Sequence, residues 1–263
     1  MWIEKLARFG YATKGFVYIL VGILAVLVAL DAGGDTTGTS GALHKLAGQP
    51  YGQFLLGLIA VGLVGYSLWR LIQAINDPDN KGNDAKGLAT RAGYVLSGLV
   101  YLALAYEAAD LALGSGSSSG SSGGSREDMT AQVLSQPFGQ WLVGTVGAVI
   151  IGVVFYRIYG AWKIKFRKTL DLRELDQGQE TMIVQVCRVG IMARGIVYIL
   201  LGFFVIQAAR QFDPEKVKGM DQMLQTVAQQ PFGKILLLLI ALGLVAYGIY
   251  MEVQARYRRI KVD

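Results

Sequence analysis

Long apolar runs, almost free of charge, alternate along this chain with short polar segments: Gly15–Leu30, Phe54–Trp69, Tyr94–Tyr106, Trp141–Tyr156, Gly195–Ala209 and Ile235–Met251. With a few flanking residues each run reaches roughly 20 residues, the length an α-helix needs to cross the hydrocarbon core of a bilayer. Only helices or closed barrels satisfy their own backbone groups in lipid. The six runs therefore predict an all-α, polytopic membrane protein with six transmembrane helices.

The pattern around these runs repeats. Arg8-Phe9-Gly10 leads to Gly15 and Tyr18, Arg91-Ala92-Gly93 to Gly98 and Tyr101, and Arg188-Val189-Gly190 to Gly195 and Tyr198, at identical spacing. Each copy then reaches a second shared motif, Gln49-Pro50-Tyr51-Gly52, Gln136-Pro137-Phe138-Gly139 or Gln230-Pro231-Phe232-Gly233. Nineteen residues after each proline stands a large aromatic, Trp69, Tyr156 or Tyr250. Identities at fixed offsets in triplicate mark tandem copies of one unit. Two helices per unit return the chain to the same side, so the repeats are parallel. Packing about a pseudo-threefold axis along the membrane normal is favoured over a linear row, whose end units would have unlike surroundings. The boundaries are repeat one over 1–76, repeat two over 77–162 with a Gly/Ser-rich outer loop at 114–125, a cytoplasmic linker over 163–187, and repeat three over 188–263.

Within the first helix of each unit the shared residues fall three or four apart, hence on one face: Arg8, Tyr11, Gly15, Tyr18 and Gly22; Arg91, Tyr94, Gly98, Tyr101 and Ala105; Arg188, Ile191, Gly195, Tyr198 and Gly202. Small residues on a transmembrane face let backbones approach where lipid supplies no hydrophobic drive to association. A packing seam, with each tyrosine bonded to a neighbouring helix, is therefore favoured over a ligand site. The proline of the second motif is expected in the first turn of the second helix, where its missing N–H costs nothing, with the aromatic as an interfacial anchor. Gln49, Gln136 and Gln230 are read as caps of this junction, the alternative being a ring about an outer vestibule. Just upstream, Leu43 with Leu46, Val133 with Leu134, and Met223 and Leu224 with Val227 predict a short amphipathic helix on the outer surface.

The chain is 53% hydrophobic and 17% charged over 263 residues, against about 25% charged in a soluble domain, as expected of a chain solvated by lipid. Its net charge of +6 could suggest a nucleic-acid partner, but the distribution argues against one. All but Lys45, Arg126, Arg210, Lys216, Lys218 and Lys234 of the 25 basic residues lie at one set of helix ends. By the positive-inside rule those ends, and both termini, are expected to be cytoplasmic, with Lys163, Lys165, Arg167 and Lys168 against anionic lipid headgroups. The basic start and apolar run of the first helix could be a secretory leader, yet the same pattern recurs in two internal helices, so a retained helix is expected. The single cysteine, Cys187, leaves no intrachain disulfide and no Cys-based zinc site, and reads as a bystander at a helix entrance.

Through Arg-x-Gly-x4-Gly-x2-Tyr and Gln-Pro-aromatic-Gly, both present in all three copies, the chain resembles along nearly its whole length a bacterial family catalogued as domain of unknown function twelve hundred and six. The resemblance implies a bacterial cytoplasmic-membrane protein with three two-helix repeats and carries over no activity. The copies depart from one another in places. Val149 stands where the others have Gly62 and Gly243, and Met251 where they have Arg70 and Arg157.

One histidine, His44, alone in an outer loop, one cysteine, and no nucleotide or zinc motif argue against enzymatic chemistry. No catalytic residue, cofactor or metal is expected. Ionisable residues inside the membrane are the better leads. Glu107 and Asp110 share one face of the third helix, Glu107 lying about a turn inside the outer boundary. Lys14 and Arg194, with Ser97 as their counterpart, lie about a turn inside the inner boundary, and snorkelling to the interface is the favoured reading. Residues 163–185 read as solvated juxtamembrane charge, with docking on a partner or on the bundle as the alternative. Two functional readings remain. In a transporter or channel for a small, anionic solute, Tyr18, Tyr101 and Tyr198 would line a central route, Arg8, Arg91 and Arg188 would form a cationic ring at its inner end, and Glu107 would be a further polar contact. In a structural or accessory protein the centre would be dry and the chain would act through contact with partners. The discriminating feature is whether the Arg and Tyr stripe faces the axis or a neighbouring helix.

Overall fold

The structure, a computed structural model, describes residues 2–30, 38–114, 132–133, 136, 138–173, 175–211 and 220–260. The predicted spans are α1 (Trp2–Ala29), α3 (Gly52–Ile75), α4 (Ala85–Ala112), α5 (Gly139–Trp162), α6 (Gln177–Gln211) and α8 (Gly233–Tyr257). Two shorter helices, α2 (Thr39–Ala47) and α7 (Met220–Ala228), precede the second span of units one and three. All six spans are long and apolar enough to cross a bilayer, and the chain is a multi-pass membrane protein. Most of the Gly/Ser run, with Leu134, Pro137, Lys216 and Lys218, lies outside the described residues.

The Gln-Pro-aromatic-Gly turn takes one form in all three units, and it differs from expectation. Each second helix starts at the glycine, and the aromatic before it, Tyr51, Phe138 or Phe232, is the N-cap at φ 63°, 66° or 61°. That left-handed conformation is costly for a bulky residue. Pro50 and Pro231 thus precede the cap instead of sitting in the first turn. The glutamine does the capping through its main-chain carbonyl, not its side-chain amide. Gly52 N–H donates to Gln49 O at 2.8 Å, Gly139 to Gln136 O at 2.9 Å and Gly233 to Gln230 O at 2.7 Å. A Cβ on Gly52 or Gly233 would overlap the carbonyls that end α2 and α7, so the tight reversal accepts no side chain there. The short helices are sunk into the bundle rather than laid on its surface: Leu43, Leu46, Met223 and Leu224 are core residues.

The first helix of each unit packs on the second helix of the preceding one: α4 on α3, α6 on α5 and, closing the cycle, α1 on α8. The contact positions are equivalent. A Cβ on Gly98 would stand 3.4 Å from Ser67 O, one on Gly195 3.4 Å from Val154 Cγ1, and one on Gly15 2.9 Å from Gly248 O. These three like seams generate the pseudo-threefold arrangement, with small residues permitting the close approach. Within the units the packing is unequal. Helix α1 packs on α3 and α6 on α8, but α4 and α5 do not pack along one another. The bundle is a ring with one open side.

At the basic end, the segment expected as solvated charge docks on the bundle. Leu170 bridges to Arg258, Asp171 N–H donates to Tyr257 O at 2.7 Å, and Arg259 N–H donates to Thr169 O at 3.1 Å. Leu170, Leu172, Val184 and Cys187 bury against Val253, so the cysteine is part of a packed cluster, not a bystander. Helix α6 begins at Gln177, which makes the later part of the linker continuous with repeat three.

Candidate functional site

Tyr18, Tyr101 and Tyr198, one from each unit, meet at the centre of the ring. The hydroxyls of Tyr18 and Tyr101 are 3.3 Å apart, and that of Tyr198 neighbours Tyr18. Two of the three carry an edge-on tyrosine from the preceding unit's second helix: Tyr66 lies 4.8 Å from Tyr101 and Tyr247 4.9 Å from Tyr18, between ring centroids. The residue at the same motif offset in unit two is Val153.

Lys14 and Arg194 do not snorkel. Each is six residues past the arginine of its own helix, about 9 Å further along the axis. Lys14 Nζ donates to the Tyr66 hydroxyl at 2.7 Å and lies 4.3 Å from the centroids of both Tyr66 and Tyr101. Arg194 donates to the Tyr247 hydroxyl and, at 2.9 Å, to that of Tyr198, and its guanidinium also lies 5.1 Å from the Tyr18 ring. Ring faces and phenolic oxygens replace the water that snorkelling would have sought. Arg70 donates to the same Tyr66 hydroxyl at 2.7 Å. Its counterpart Arg157 is exposed, makes no hydrogen bond or ion pair among the described residues, and lies within electrostatic range of Lys14, Tyr198 and Tyr247. None of these four cations pairs with a carboxylate among the described residues.

The Arg and Tyr stripe therefore divides. Tyrosines face the axis, whereas the arginines face neighbouring helix ends. Arg8 donates to Ala255 O at 2.8 Å and Arg256 O at 2.6 Å. Arg91 donates to the equivalent carbonyls of Ala74 at 2.6 Å and Ile75 at 3.0 Å. Arg188 stacks 4.5 Å from the ring of Trp162, the corresponding residue of α5. Cations on the last carbonyls satisfy orphan acceptors and suit the negative end of a helix. A polar plug lies across the same end of the bundle: Arg258 is 3.1 Å from Asp79, which also accepts from Gln73 at 2.8 Å and Tyr94 at 3.2 Å. Glu107 sits at the opposite end, away from the centre. It accepts from Ser40 Oγ and lies 3.4 Å from His44 Nδ1, so His44 is not alone but helps tie α2 to α4.

The open side of the ring is also visible in the exposure of equivalent residues. Val17 and Val197 are 2% and 1% exposed, Val100 65%. Tyr66 and Tyr247 are 0% and 4% exposed, Val153 50%. A Cβ on Gly10 would meet Tyr66 N at 2.5 Å and one on Gly190 would overlap Tyr247 N, whereas nothing lies within 4 Å of the Gly93 position. In units one and three Thr13 and Ala193 rest on Gly62 and Gly243. Unit two has Leu96 and Val149 there, and in place of the cation and tyrosine it has Ser97 and Val153. Bulk replaces the seam and hydrocarbon replaces the bond.

The three repeats match the family described as Domain of Unknown Function (DUF1206) over residues 9–77, 92–163 and 189–258. The chain belongs to the DUF1206 family. It is 37% identical over 259 residues to the uncharacterised protein YxxB of Bacillus subtilis (strain 168), an alignment covering 98% of this chain and 92% of that one. No solved structure matches it.

In this DUF1206 chain Tyr66 and Tyr247 at the centre, and Val153 at the open side, are decisive residues that the motif reading did not single out. A signal was present. Each stands sixteen residues after its motif proline, and the alternation of Tyr, Val and Tyr at that offset runs parallel to Lys14, Ser97 and Arg194.

Proposed function

We propose that this DUF1206 protein binds a small anion, or the anionic group of a larger molecule, at its centre and serves its passage across the membrane. The observation that carries the reading is the gathering of Lys14, Arg70 and Arg194 around tyrosine hydroxyls, without a carboxylate partner for any of them or for the exposed Arg157 among the described residues. Placing one cation at the centre of a bilayer costs about 3 kcal/mol on insertion scales, and hydrocarbon would fill the same space at lower cost in a purely structural bundle. Guanidinium and phenol groups are donors suited to an oxyanion. The reaction is binding and movement, not covalent chemistry. The one-sided distribution of basic residues supports cytoplasmic termini, and the Bacillus relative supports a bacterial cell membrane.

Proteoliposomes holding a dye quenched by entering halide test this. The wild-type chain should accelerate the quench over empty vesicles, and Arg194→Gln should return the rate to that of empty vesicles. The second reading, a scaffold acting through partners, is favoured by the direct contact of Tyr18 with Tyr101 and by the Asp79–Arg258 plug. It stands if the wild-type rate equals that of empty vesicles and the purified protein binds no inorganic phosphate.

A further inference from the structure

We infer that the ligand of this centre is an anionic lipid whose phosphate enters sideways, through the open seam between α4 and α5. The inference rests on the anion-binding reading above and names its substrate class.

The argument is one of equivalent positions. In unit one the Tyr66 hydroxyl accepts from Lys14 and Arg70, while its ring packs on Tyr101. The counterparts of those three partners around Val153 are Ser97, Arg157 and Tyr198. Valine offers no oxygen. Arg157 accordingly has no hydrogen bond or ion pair among the described residues, and Ser97 and Tyr198 are only half-buried. Arg194, bonded to Tyr198, has a buried Nε without an acceptor. A phosphate oxygen at this place takes the role that the Tyr66 hydroxyl has in unit one, and among the described residues Arg157 is the donor left without a partner to meet it.

The walls of the seam choose the source of the phosphate. Leu96, Val100, Val149 and Val153 are exposed along it, a strip of hydrocarbon suited to acyl chains and not to a hydrated ion. Helix α5 contains no acid, and α4 none before Glu107, so neither wall of the strip places a carboxylate against an anion. Lys86 reaches across the basic end of the seam to within 5.2 Å of the Tyr156 ring, placing another cation where a headgroup would pass. At the same end the Arg258–Asp79 ion pair links the helix ends across the bundle.

Native mass spectrometry of the detergent-solubilised full chain, with phosphatidylglycerol and phosphatidylcholine of matched chain length, tests the inference; calorimetry with inorganic phosphate runs beside it. Phosphatidylglycerol should be retained over phosphatidylcholine. Arg157→Gln should weaken it about tenfold, the loss of one charge-assisted bond. Val153→Tyr, which restores the residue type of the other units while keeping every cation, should remove it. Should Val153→Tyr fail to fold, Arg157→Gln at the rim of the seam still decides. Equal retention of phosphatidylglycerol by all variants would mean an unspecific lipid annulus and overturn the inference. Binding of inorganic phosphate that phosphatidylglycerol does not compete away would overturn lateral lipid entry and leave the anion centre standing. A dimer dissociated by Val153→Tyr, with no lipid retained, would give the seam to a second copy. Binding of neither ligand would remove both readings.

Discussion

Units one and three share with unit two every element of the two sequence motifs, yet α1 seals against α3 and α6 against α8 while α4 stands off from α5. The difference lies in which seam each residue serves. Gly15, Gly98 and Gly195 serve the seams between units, and all three of those seams are closed. Gly62 and Gly243, with the pairs Lys14–Tyr66 and Arg194–Tyr247, serve the seams within units. Unit two has lost both contributions at once. A repeat can thus hold its place in the ring through one face while the other is released for a different use.

The largest effect is expected from closing space that the tight seams lack. Gly10→Ala and Gly190→Ala direct a methyl group into main chain and should each destabilise by about 3 kcal/mol, whereas Gly93→Ala should be neutral or stabilise by up to about 1 kcal/mol through helix propensity. Thermal unfolding in detergent reads all three, and equal losses would abolish the distinction between the units. A smaller effect follows from removing one oxygen. Tyr66→Phe strips an acceptor shared by Lys14 and Arg70 and should cost about 2 kcal/mol, while Val153→Phe should cost nothing because no donor there depends on a hydroxyl of its own helix. The smallest concerns the seams that all units keep. Arg91→Gln should cost about 1 kcal/mol through lost helix-end bonds and Arg188→Gln about 0.5 kcal/mol through a lost ring stack; a loss at Arg188 larger than at Arg91 would show that the third cap is not the weaker one.

The sequence disclosed much of this architecture because the signals were local and periodic. Spans, copies and glycine faces are matters of spacing along one helix, and spacing is what a chain displays. The departures Val149 and Ser97 were also visible, but their consequence was not. Whether a helix tolerates a valine depends on what lies opposite, and only the fold sets Thr13 on Gly62 and leaves Leu96 facing outward. The arginines mark the same limit. A shared stripe places Arg8 and Tyr18 on one face, yet residues ten apart are about 15 Å apart along the helix, and they meet different neighbours, a helix end for one and the axis for the other. Spacing alone suggests that Lys14 snorkels, because its partners, Tyr66 and Tyr101, lie on two other helices far along the chain.

A ring of three equal seams looks the same from every third of a turn, and nothing in the bilayer could approach it from a preferred quarter. Opening the side between α4 and α5 gives the molecule a front. Under the proposed lateral binding, that single feature sets a stoichiometry of one molecule per chain, and it gives the chain a compass bearing within the plane of the membrane.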